Sequence, residues 1–212
     1  MTKLNKPIEF CVLLVMACAM LAIALPATAG GDGRGKNPME IVKKNTNKVL
    51  EILRNPDLRG QDKQEKRREL VRDTVKGIFN WPEIAKRAMG RHWWDRSKEE
   101  REEFIPLFRK LLEVTYLNRI EENADADIQY KGQNIEEGRA SVHLLAIAED
   151  GTQVPIIYRM HRLSEKEKAK MNSQLCWLIY DVKVEGVSLV SNYRSQFNDI
   201  IIGSGYKKLV KK

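Results

Sequence analysis

The chain has 212 residues, a formal net charge of +8 and only 3 cysteines. That length suits one domain with its own core, and so few cysteines exclude a disulfide-stapled scaffold. The basic balance favours anionic partners: phospholipid headgroups, membrane surfaces, acidic protein faces or nucleic acid.

Residues 1–29 read as a cleavable signal peptide. Lys3 and Lys6 form a basic start, Phe10 to Leu25 is an apolar run, and Ala27-Thr28-Ala29 supplies the small-residue cleavage site. The run is short for a spanning anchor. It also continues past Cys18, which argues against a lipoprotein cut at Val15-Met16-Ala17-Cys18. The leader carries Lys3, Lys6 and Glu9, a net +1, so the remaining chain keeps +7 of the +8. Cys11 and Cys18 leave with it, and Cys176 alone remains as a small hydrophobe beside Trp177. Secretion makes nucleic acid the least favoured partner.

Residues 30–37 are Gly-rich and read as a disordered start to the mature chain, followed by a single domain over 38–212. Gly30 to Lys36 fits G-x-x-x-x-G-K, but no strand precedes it and Asn37 stands where Ser or Thr is needed, so no P-loop is expected. Asn37-Pro38 opens a first helix with Ile41, Val42, Val49, Ile52 and Leu53 on its apolar face. The charged run 61–69 opens a second helix, with Leu70, Val71, Thr74, Val75, Ile78 and Phe79 toward the core. Asn80 caps a short third helix, 81–89, which ends at Gly90. Ser97-Lys98-Glu99-Glu100 is a capping box for a long fourth helix. Its expected stripe is Phe104, Leu107, Phe108, Leu111, Leu112, Thr115 and Tyr116, and Pro106 should bend it.

The period then becomes strand-like, near 127–131, 139–148, 154–163 and 174–184. Gly132, Gly138, Asp150-Gly151 and a polar loop over 164–173 mark the turns. A last helix from Ser191 carries Tyr193, Phe197, Ile200 and Ile201, with Gly203 and Gly205 interrupting it. The fold class is α+β: N-terminal helices, a four-stranded antiparallel sheet and a closing helix. Both alternating sets of the sheet are apolar, as in Ile156 and Tyr158 against Ile157. Such a sheet needs cover on both faces or a greasy ligand on one.

Catalytic chemistry is weakly represented. His92, His143 and His161 lie far apart without thiol or carboxylate partners at ligand spacing, so no metal is expected. His143 and His161, on neighbouring strands, could approach one another. Asp181 with Tyr158 or Tyr180 is the one candidate base set, and a basic neighbour such as Arg194 would make Asp181 structural. Trp93-Trp94 caps an entrance or anchors a helix corner.

The stretch from Trp177 to Phe197, W-x-x-x-D-V-x-V-x-G-V-S-L-V-x-N-Y-R-x-Q-F, resembles the MlaC family of periplasmic phospholipid carriers, also called toluene-tolerance auxiliary proteins. Phe79-Asn80-Trp81-Pro82-Glu83-Ile84-Ala85-Lys86-Arg87-Ala88-Met89-Gly90 is similar to its F-D-x-x-x-I-A-x-x-x-L-G segment, with Asn80 for the commoner Asp and Met89 for Leu. Phe104-x3-Phe108-x2-Leu111-Leu112-x3-Tyr116 resembles its next helix, and the likeness covers roughly Pro38 to Lys212. It implies a curved antiparallel sheet and helices that enclose an apolar cavity for the acyl tails of a glycerophospholipid, and no cofactor or catalysis. It also implies two docking partners, an inner-membrane ABC-transporter complex and an outer-membrane lipoprotein–porin complex, between which lipid is shuttled to maintain outer-membrane asymmetry. Tail contacts are expected from Val71, Val75, Phe79, Phe104, Phe108, Leu112, Val142, Leu144, Ile156, Tyr158, Trp177 and Ile179. The alternatives are a small periplasmic α+β enzyme using a cavity carboxylate, or a protein-only adaptor.

Overall fold

The computed structural model describes residues 37–211; the expected leader and most of the Gly-rich segment lie outside them. Helix α1 (Pro38–Arg54) begins where Asn37 accepts a hydrogen bond from the Met39 N–H at 2.9 Å. Two 3₁₀ turns, Pro56–Leu58 and Gln61–Lys63, lead into α2 (Gln64–Lys76). Helix α3 (Trp81–Met89) is capped by Asn80, which takes the Glu83 N–H at 3.1 Å. A 3₁₀ turn, Gly90–Trp93, precedes α4 (Lys98–Glu122), where the Ser97–Glu100 capping box forms in both directions. Pro106 lies inside α4, which continues through it.

The sheet has five strands in the order β1-β2-β3-β4-β5, all antiparallel: β1 (Asp127–Glu136), β2 (Arg139–Ile147), β3 (Gln153–Arg162), β4 (Trp177–Val184) and β5 (Val187–Ser188). Three details depart from the four-strand expectation. Gly132 is no turn: at φ 134° it marks a bulge between Tyr130 and Gly132, and β1 runs on to Glu136. The polar loop after β3 holds a helix, α5 (Glu165–Met171), started by a Ser164–Glu167 capping box. Finally, Glu185 and Gly186, at φ 48° and 82°, form a tight turn that folds β5 onto β4. Positive φ at both central residues is what a two-residue hairpin of type I′ requires. Helix α6 (Leu189–Ser204) therefore starts before Ser191, capped by Ser188. Gly205, at φ 79°, separates it from α7 (Tyr206–Val210).

Two cores form. In the first, Ile41, Val42, Val49 and Leu50 of α1 pack with Val142, Leu144, Ile156, Tyr158 and Met160 of the sheet. In the second, α3, α4, α6 and α7 gather Ile84, Met89, Trp93, Phe104, Phe108, Tyr193, Phe197 and Tyr206. Phe108 meets Tyr193 and Phe197 edge-on, each at 5.1 Å between ring centres. Strands β2 and β3 bury alternate residues only, so their second apolar set, with Leu145, Ile147 and Ile157, is only partly covered. Strand β4 is buried on both, apart from Lys183. The helix faces also differ from expectation. Leu70, Leu107 and Leu111 are exposed, since α2 and α4 each meet the rest of the protein along a narrower line than their apolar residues span. Among the described residues no helix is long and apolar enough to cross a membrane.

Candidate functional site: an apolar cavity between two cores

A cavity of about 160 Å³ opens where the two cores fail to meet. One wall is α2, through Val71, Arg72 and Val75; the facing wall is α4, through Arg109, Leu112, Glu113, Tyr116, Leu117 and Ile120. Asp181, Val182 and Val184 of β4 line it with Leu189 and Val190 at the start of α6. Phe79, Trp81 and Ile84 close the α3 end, and Phe79 packs against both cores at once. The wall is almost wholly apolar, so water gains little there and hydrocarbon gains most. Burial pushes the Tyr116 hydroxyl far above the ordinary tyrosine range, helped by its hydrogen bond with Tyr193, so it stays neutral.

The polar atoms gather on one side. Arg109 Nε donates to Glu113 Oε1 at 3.0 Å, and Arg72 Nε lies 3.5 Å from Glu113 Oε2. The guanidinium of Arg109 also sits 5.6 Å from the Trp81 ring centre. Further along the seam, Arg67 and Arg68 both pair with Glu121, at 3.0 and 2.8 Å, and Arg68 also donates to Asn118. Burial alone would raise the Glu121 pKa, but the Arg68 hydrogen bond and the charges of Arg67 and Arg68 hold it below the ordinary value. Helix α2 buries one apolar side chain, Val71, so these pairs do much of the work of holding it against α4.

A depressed carboxylate pKa stabilises the fold at pH above the unfolded value and loses that contribution as pH falls through the folded one. Glu121→Gln should therefore lower stability by about 1–2 kcal/mol at pH 6. The gap in urea midpoint between wild type and variant should close as pH drops through and below about 4. A gap unchanged at pH 3 would mean that Glu121 does not tie α2 to α4 by charge.

The family described as MlaC protein matches residues 43–212. The chain belongs to the MlaC family. A solved structure of a phospholipid-binding protein from Ralstonia solanacearum, in complex with a phospholipid, is similar at a TM-score of 0.68 and 25% identity, over 82% of this chain and 92% of that one. No curated protein sequence matches.

Within this MlaC-family chain, Val71, Val75, Phe79 and Leu112 of the expected tail contacts are brought together on the cavity wall. The other eight are not. Phe104 and Phe108 are buried in the second core; Val142, Leu144, Ile156, Tyr158, Trp177 and Ile179 are buried in the first, where α1 packs on β1 and β2. Sequence reading missed Trp81, Tyr116, Ile120, Val182, Val184 and the charged trio Arg72, Arg109 and Glu113. The signal for the last three was present: each is a charge at helical spacing from an apolar wall residue.

Asp181 is 4% exposed and fully engaged. It accepts from Ser188 Oγ at 2.8 Å, the Val190 N–H at 3.1 Å and Arg159 Nη1 at 3.4 Å. Its basic partner is thus Arg159, while the expected Arg194 donates to the Arg87 carbonyl at 2.7 Å. Tyr158 sits opposite Val182 in the ladder, one position from the Arg159–Asp181 pair and on the other face. His143 sits opposite Ile157 and His161 opposite Arg139, four ladder positions apart, so the two do not meet. His161 lies 3.1 Å from Asn80 Nδ2, and burial lowers its pKa. Trp93 is buried in the second core as a corner anchor; Trp94 is exposed beside Lys86, and neither lines the cavity. Cys176 is half-buried against the first core with its thiol free.

Proposed function

We propose that this protein is a periplasmic phospholipid carrier. It holds acyl tails in the α2–α4 cavity and shuttles glycerophospholipid between an outer-membrane lipoprotein–porin complex and an inner-membrane ABC-transporter complex, so maintaining outer-membrane lipid asymmetry. The observation that carries the reading is an apolar cavity with a charged rim, in a chain of the MlaC family whose similar solved structure is of a phospholipid-binding protein in complex with a phospholipid. Residues 1–29 would direct secretion and be removed, leaving 30–37 as a loose start before the 38–212 domain. The tails would lie against Val71, Val75, Phe79 and Leu112, joined by Tyr116, Ile120 and Val182. No cofactor is needed for this role, and a charged, hydrogen-bonded Asp181 supports binding over catalysis.

Size adds a requirement. The cavity, about 160 Å³, is smaller than the roughly 300–1,000 Å³ of pockets that hold even drug-sized ligands, so two tails require a wall to move. Helix α2, with one buried side chain and ion pairs at its seam, is the wall held least by apolar packing. Each buried methylene gains about 0.8 kcal/mol, and two tails of roughly fifteen methylenes would gain on the order of 24 kcal/mol. That exceeds the practical affinity ceiling of roughly 18–21 kcal/mol, so release into water would be too slow to be useful. Cargo should leave only where a docked acceptor opens the seam.

Native mass spectrometry of protein purified from a Gram-negative periplasm tests the reading directly. A copurified phospholipid of one defined mass class is the expected result. A bare polypeptide mass that stays bare after incubation with phospholipid vesicles would overturn it.

A further inference from the structure

Two nitrogen donors on the cavity wall are sequestered from solvent without a well-made hydrogen bond among the described residues: Trp81 Nε1, and Arg72 Nε, whose ion-pair partner Glu113 Oε2 stands 3.5 Å away. A buried donor without an acceptor is unfavourable, and a wall that carries two of them is matched to an oxygen supplied by a ligand. Both lie on the rim trio's side. Arg109 reaches over the Trp81 ring at 5.6 Å and holds Glu113, which lies 3.5 Å from Arg72. The side chains of Arg72 and Arg109 are each 26% exposed and that of Glu113 20%, which places them between the apolar interior and water. Arg72 is also paired with Glu65 at 3.2 Å, so the rim is close to electrical balance; what it offers a ligand is guanidinium N–H donors beside hydrocarbon walls, the polarity pattern of a phospholipid at its glycerol end.

We propose that Trp81, Arg72 and Arg109 form a subsite for the phosphodiester of the cargo lipid, with Glu113 as the internal carboxylate that holds the two arginines until phosphate replaces it. The assignment rests on the carrier reading and adds the headgroup contact to it. Phosphate oxygens take the Trp81 and Arg72 N–H groups and share Arg109. Glu113 loses its pairing as they arrive, which weakens the rim contact between α2 and α4 at the moment the tails need width. Glu113 is therefore a competitor for the anion.

The test loads purified, delipidated protein with an equimolar mixture of phosphatidylglycerol and diacylglycerol bearing the same tails, and reads the bound ratio by native mass spectrometry. Diacylglycerol keeps the ester carbonyls and lacks only the phosphate headgroup. Wild type should favour the phospholipid by roughly tenfold or more, and Arg72→Gln or Arg109→Gln should remove most of that preference while retaining both lipids. Trp81→Phe, which keeps the ring and removes the N–H, should lower it by a few fold. Glu113→Gln should move it the other way, a sign that a merely structural triad would not give. Inorganic phosphate alone should leave the melting temperature unchanged. A rise that Arg72→Gln abolishes would overturn the lipid assignment in favour of free phosphate. Equal uptake of the two lipids by wild type would overturn the subsite and leave the carrier standing; uptake of neither would overturn the carrier itself.

Discussion

Replacing Leu112 with glutamate is expected to empty the cavity. Leu112 projects from α4 into the space it shares with Val71 and Val75 of α2, and it is one of the wall residues common to the sequence reading and the structure. A carboxylate there either ionises against hydrocarbon or takes up a proton to avoid doing so. Both cost several kcal/mol once tails exclude water. At 1.4 kcal/mol per factor of ten, lipid retention should fall by roughly a hundredfold or more. The lipid-free protein pays much less, because Leu112 is only half-buried and a glutamate can turn toward the rim. In exchange with excess phospholipid vesicles, where the tails already lie in hydrocarbon and the loss of retention is not masked, native mass spectrometry should thus show a folded, largely bare polypeptide with a melting temperature within a few degrees of wild type. Leu111→Glu is the matched control: one residue away on the same helix, it is exposed and should keep its cargo. Lipid persisting in Leu112→Glu would place the tails elsewhere.

The fold was legible wherever a local rule acted alone. Asn37, Asn80 and Ser97 were readable as caps because an N-cap needs a short acceptor and a free amide within a few residues. Helix α5 was legible in principle from Ser164 and Glu167, but a polar stretch between strands reads as a loop unless the box is sought. Gly132 shows the limit of turn signals: a bulge and a turn both accept a glycine at positive φ, and only the partner strand decides between them. The site was harder for a physical reason. Periodicity shows that Phe104, Phe108 and Leu112 share one face of α4. It cannot show that Phe104 and Phe108 meet Tyr193 and Phe197 while Leu112 meets empty space. That division depends on where two cores stop short of each other, a property of tertiary packing that no single element encodes. The same applies to Val142, Leu144 and Ile156, whose apolar character answers to α1.

Asp181→Ala is expected to be the most destabilising single change at the cavity. The carboxylate joins three elements: β3 through Arg159, the β4–β5 hairpin through Ser188, and the first turn of α6 through the Val190 N–H. Its negative charge also faces the positive end of the α6 dipole. Alanine leaves a buried amide without its acceptor and a hydroxyl that caps α6 without its own partner; Arg159, 41% exposed, can turn to water and adds little. A cost of about 2–4 kcal/mol follows, or roughly 5–15 °C in melting temperature for a domain of this size. Asp181→Asn keeps one acceptor oxygen and should lose about half as much. The pair of substitutions also separates two meanings of the residue. A general base would leave melting unchanged in the Asn variant and abolish a turnover, whereas a buried clamp moves melting in the order Ala, then Asn, and leaves bound phospholipid in whatever fraction stays folded. The clamp is what the three donors imply, because a carboxylate held by a backbone amide, a hydroxyl and a guanidinium is stabilised as an acceptor and is a poorer base for a substrate proton.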